Sequence, residues 1–200
     1  MASGTYTPVV EPPRFAGPDR ASRSGIWVAI FAITMSFAAF TSAMYVRQGA
    51  GDGVHIVLPS VIYANTVALL LSSLTLEQSR RCIARGLMPE AVKLRQGIGW
   101  LVVTLILGLA FVAGQYLVWQ GLAAQGLYLA TNPSSSFFYV FTAVHALHVL
   151  GGITAIVYVL GRLAGMLRPF CQSLFDAMGI YWHFMGVLWL YLLFIIGTRL

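Results

Sequence analysis

The chain has 200 residues, of which 58% are hydrophobic and 9% charged, with a formal net charge of +6. Soluble domains carry roughly a quarter of their residues charged, so this composition excludes that class and indicates a membrane protein. The positive residues lie in connections between apolar runs, without a nucleic-acid motif, and predict no nucleic-acid partner.

Residues 1–24 are rich in Pro, Gly, Ser and Arg and predict a disordered tail. Apolar runs long enough to cross a hydrocarbon core of roughly 30 Å follow at about 26–46, 56–76, 98–119, 137–160 and 174–197. The first exceeds a signal-peptide core and reads as an uncleaved anchor. The second carries Pro59, Asn65, Thr66, Ser72 and Ser73. The connection 77–96 mixes charges with Leu87, Met88 and Ala91, which predicts an extension of the second helix followed by a short amphipathic segment. The third run holds Gln115 and the small pair Ala110 and Gly114; the fourth holds His145 and His148 with Gly151, Gly152 and Ala155; the fifth holds Asp176 and His183. Small residues at such spacings are packing seams by default. Together the runs predict an all-α bundle of five transmembrane helices, with residues 25–200 as one domain.

Ten of the twelve Lys and Arg residues fall on one side of this topology: Arg14, Arg20, Arg23, Arg80, Arg81, Arg85, Lys93, Arg95, Arg162 and Arg168, against Arg47 and Arg199 on the other. Positive residues stay cytoplasmic, which predicts a cytoplasmic N-terminus and a periplasmic C-terminus. Cys82 and Cys171 then both lie on the reducing side without CxxC spacing and are expected as free thiols.

Polar residues inside the runs are costly in hydrocarbon and need partners. His145 and His148 share one helix face, an arrangement suited to metal or haem ligation, a proton path or a contact between helices. Asp176, Gly179, His183 and Gly186 form a narrow face on the fifth helix. At about 1.5 Å per residue, His148 lies roughly 18 Å from Leu160 and His183 roughly 13 Å from Leu174. That similar depth predicts a polar contact between the fourth and fifth helices, with neutral histidines at its centre and Asp176 reaching Arg162 or Arg168 at its rim.

The stretch NPSSSFFYVFTAVHALHVLGG, Asn132 to Gly152, closely resembles the part of haem–copper oxidase subunit III in which an aromatic run leads into Thr-x-x-His-x-x-His and a glycine pair. YWHFMGVLWLYLL, from Tyr181 with Trp182, looks like that family's final helix. LPSVIYANTVALLLSSLTLE, containing Asn65, is similar to the family's Pro-containing helix with its Asn-Thr and Ser-Ser pairs, and GIGWLVVTLILGLAFVAGQYLVW, containing Gln115, to the helix that follows. The resemblance runs from Gly25 to Gly197 and suits the five-helix bacterial form.

It implies an accessory subunit of a proton-pumping cytochrome c oxidase in the bacterial plasma membrane, part of the aerobic respiratory chain and not an enzyme on its own. In that family other subunits hold the haem and copper, while subunit III packs against catalytic subunit I, encloses phospholipid and supports proton uptake. No catalytic, cofactor or metal ligand is therefore expected on this chain. Two acids common in the family are replaced here, by Ile33 in the first helix and by Met185 and Gly186 in the last. The alternatives are a related subunit of a quinol oxidase or nitric oxide reductase. From other classes come a b-type cytochrome ligated by His183 with His145 or His148, and a small transporter, which usually shows the broken helices or repeats not visible here.

Overall fold

A computed structural model describes residues 18–48, 59–84, 90–128, 133–165 and 172–199. Every regular element among them is an α-helix: α1 Pro18–Gln48, α2 Val61–Ala84, α3 Glu90–Ala124, α4 Pro133–Leu163 and α5 Gln172–Arg199. Residues 1–17, His55, Arg85, Arg168 and Cys171 lie outside the described residues.

Two boundaries differ from the sequence expectation. The tail expected up to residue 24 is helical from Pro18, a residue suited to the first helical turn because its missing N–H would have no partner there. The connection 77–96 is helical at both ends, with α2 continuing to Ala84 and α3 beginning at Glu90, while Leu87 and Met88 of the expected amphipathic segment lie outside the described residues. Charged residues near the end of a transmembrane helix need not stop it, since backbone hydrogen bonding continues beyond the hydrocarbon. At their other ends α3 and α4 are closed by glycines in the left-handed region, Gly126 (φ +78°) and Gly165 (φ +73°). After α3 the amide of Leu127 bonds back to the Leu122 carbonyl at 3.1 Å, so the final carbonyls are satisfied as the chain turns.

Among the described residues, four helices have segments long and apolar enough to cross a membrane: Ser24–Arg47, Leu94–Ala124, Pro133–Leu163 and Ser173–Thr198. The less apolar helix is α2, because Asn65, Thr66, Ser72, Ser73 and Thr75 lie within it. Those groups are what α2 brings to its neighbours. It packs most extensively on α3, where Thr75 meets Thr104 at 2.9 Å and Ser79 donates to the Gly97 carbonyl at 2.7 Å. The central helix is α5, which touches α4, α1 and α2. Between them lies a core of large side chains, including Phe37, Phe111, Phe141, Trp182 and Trp189. The outward faces carry Trp27, Phe31, Ile106, Leu147 and Phe194, an apolar coat matched to lipid.

Candidate functional site

Several polar residues of the bundle meet along one side of α5. Its face of Asp176, Gly179, His183 and Gly186 meets α2 and not α4, which corrects the partner expected from sequence. Asp176 accepts from Arg80 Nη2 at 2.8 Å, whereas the Arg162 expected beside it lies over the Tyr158 ring, 5.4 Å from its centroid. Glu77 lies 3.5 Å from Arg80 and 3.0 Å from Arg81. A Cβ on Gly179 would come within 3.3 Å of the Arg80 side chain, which would have to give by a few tenths of an ångström to admit it, so the guanidinium packs closely over the glycine. His183, partly buried, stands within the electrostatic reach of Glu77 and Arg80. Gly186 packs on Ser73, whose Oγ would lie 3.4 Å from an added Cβ.

Further along, two indoles continue this seam as a ladder. Trp182 Nε1 donates to Ser72 Oγ at 2.9 Å and Trp189 Nε1 to Thr66 Oγ1 at 3.0 Å. With Asp176 and Arg80 these are three rungs between antiparallel helices: residue numbers rise on α5 as they fall on α2. Buried indole N–H groups need acceptors, and hydroxyls that already donate to their own helix, Ser72 to Leu69 and Thr66 to Ile62, are free to accept. Trp182 also reaches two more helices. An added Cβ on Gly108 of α3 would lie 2.8 Å from its ring, and one on Gly152 of α4 2.9 Å. The indole fills a slot between two glycines.

The contact between α4 and α5 exists at His148, but not through its ring. Tyr181 donates its hydroxyl to the His148 backbone carbonyl at 2.9 Å. The ring Nδ1 turns instead to the Val144 carbonyl of its own helix at 2.7 Å, which requires the proton on that nitrogen, and the ring lies 6.1 Å from Phe37 of α1. His145 is fully buried between Phe111 of α3 at 5.8 Å and Trp189 of α5 at 5.1 Å between centroids. The three histidines therefore face three different sets of neighbours.

The family model described as Cytochrome c oxidase subunit III matches residues 23–198. The chain belongs to the cytochrome c oxidase subunit III family. Among subunit III relatives, the probable cytochrome c oxidase subunit 3 of Mycobacterium leprae is 32% identical over 132 residues, 66% of this chain and 62% of that protein. That match spans less than two thirds of the mycobacterial relative's length. Cytochrome c oxidase subunit 3 of Corynebacterium diphtheriae is 29% identical over 190 residues, 90% of this chain and 89% of that protein. Quinol oxidase subunit 3 of Bacillus spizizenii is 27% identical over 169 residues, covering 84% and 82%.

Haem, the group that an oxidase family raises, does not fit these histidines. Bis-histidine ligation needs two rings converging from facing helices, and here His145 is enclosed by aromatic rings, His148 is tied to its own helix, and His183 is drawn to a charged seam. Among the described residues no group of three or more His, Cys, Asp or Glu gathers as a metal site. The subunit III motif positions have distinct surroundings: Trp182 joins four helices, Asn65 is buried against Gly114 of α3, and Gln115 is buried beside a groove between α3 and α4. Ile33 and Met185, where the resemblance leads one to expect acids, are buried core residues. The Trp182 and Trp189 rungs were missed from sequence, although two tryptophans seven apart on one helix and two hydroxyls six apart on another were the signal for them.

Proposed function

We propose that this chain is a non-catalytic accessory subunit of a haem–copper terminal oxidase, packing against catalytic subunit I and other subunits in a bacterial plasma membrane. The observation that carries the reading is the subunit III match across nearly the whole described chain, residues 23–198. The divergent histidines support it, because they leave redox chemistry to haem and copper on partner subunits. All five helices span the membrane in this reading, α2 with its polar face turned to α3 and α5, the N-terminus cytoplasmic and the C-terminus periplasmic. The apolar outer surface is available to partner helices and to bound phospholipid. Electrons enter from cytochrome c, in line with the names of the mycobacterial and corynebacterial relatives. The Bacillus relative is named for a quinol oxidase, and a quinol donor is the second reading.

Gentle purification of a tagged copy tests this reading, with identification of the accompanying chains. Recovery of a haem–copper catalytic subunit is the expected result, and oxygen consumption by the recovered complex with reduced cytochrome c or with quinol separates the two donors. Isolation of this chain without oxidase subunits would overturn the assignment.

A further inference from the structure

Three buried polar side chains take no part in the ladder. Asn65 of α2, Gln115 of α3 and His145 of α4 are 5%, 1% and 0% exposed. Asn65 Nδ2, Gln115 Nε2 and Oε1, and both ring nitrogens of His145 have no hydrogen-bond partner within the protein. They stand at one level of the bundle. The His145 ring lies against Trp189 and Phe111, and Trp189 is bonded to Thr66, the neighbour of Asn65. Phe111 is one turn from Gln115 on the same face of α3. The Asn65 amide is pressed on Gly114, where an added Cβ would collide with it.

A buried polar group without a partner is costly, and several at one level call for a shared partner. Their chemistry restricts what that partner is. Two amide nitrogens donate, the Gln115 carbonyl accepts, and a neutral imidazole offers one donor and one acceptor. The set carries no formal charge and mixes donors with acceptors, so neither a cation nor an anion complements it. A small neutral molecule that both donates and accepts does, and internal water commonly makes about three such bonds. Gln115 and the neighbour of His145, Ala146, also line a groove of about 530 Å³ between α3 and α4, so the two residues stand on neighbouring helices at the same depth.

We infer that Asn65, Gln115 and His145 form a binding site for internal water at the centre of the bundle. The site stands apart from the charged seam between α2 and α5 and does not depend on the oxidase reading. The chain has four histidines, so nitrogen-15 labelling of histidine in the full chain, reconstituted in lipid nanodiscs, yields few ring signals. His145→Phe identifies the one that matters. The His145 ring N–H is expected to show magnetisation transfer from a bound water, and Gln115→Leu should weaken that cross-peak at least about twofold without moving the His148 and His183 signals. If Gln115→Leu does not fold, a wild-type density map that resolves water decides: a peak within hydrogen-bond distance of at least two of the three side chains is the expected result. Direct hydrogen bonds among the three side chains, with no water cross-peak and no such density, would overturn the site.

Discussion

Gly151 and Gly152 are adjacent in sequence, yet they make opposite demands. A Cβ on Gly152 would lie 2.9 Å from the Trp182 ring and 3.2 Å from Tyr181, while one on Gly151 would meet only the Tyr181 hydroxyl at 3.7 Å. The indole has little freedom to yield, since Gly108 crowds it from the other side and Ser72 holds its N–H. Gly152→Ala is therefore expected to destabilise the fold by about 1–3 kcal/mol. Gly151→Ala, on an exposed face, should be neutral or gain up to about 1 kcal/mol from helix propensity. Thermal unfolding of the two purified variants in one detergent checks the contrast, and equal losses would show that the slot around Trp182 is not tight. The glycine pair was visible in the sequence as a packing seam. That one glycine crowds a neighbour and the other does not was hidden, because the difference depends on which face of α4 meets the indole.

At the scale of elements, the pairing of α2 with α5 joins the charged pair and the two indole hydrogen bonds in one seam. The polar face of Asp176, Gly179, His183 and Gly186 was legible from its helical spacing, which fixes what shares a face. Its partner was not, because depth alone fitted α4 as well as α2, and chain adjacency favoured α4. The beginnings of α1 and α3 were obscured for a related reason: the end of an apolar run marks where hydrocarbon ends, not where a helix does. The rungs of the α2–α5 ladder also differ in strength. Arg80 and Asp176 side chains are 29% and 35% exposed, so solvent weakens their attraction, and Asp176→Asn should cost only about 0–1 kcal/mol. Thr66 and Ser72 are buried. Thr66→Ala and Ser72→Ala each leave an indole N–H without its acceptor and should cost about 1–3 kcal/mol. Denaturation of the three variants in a common detergent ranks the rungs; a larger loss for Asp176→Asn than for both hydroxyl variants would contradict this order.

For the whole molecule, the proposed orientation and the proposed role of the histidines each have a direct test. The proposed orientation puts the α2–α3 connection in the cytoplasm. Cys82, near the end of α2 and in no disulfide, reports on it: a membrane-impermeant thiol reagent should spare it in intact cells and modify it in inverted vesicles of a Cys171→Ala variant. Labelling from outside would reverse the orientation. The central claim is that His145, His148 and His183 serve packing within an accessory subunit and ligate nothing. The visible absorption spectrum of the purified, folded chain, separated from all partner subunits, tests it most directly. The expected spectrum has no Soret band. A band corresponding to one haem per chain, lost when any of these histidines is replaced by alanine, would contradict the account and make the protein a cytochrome.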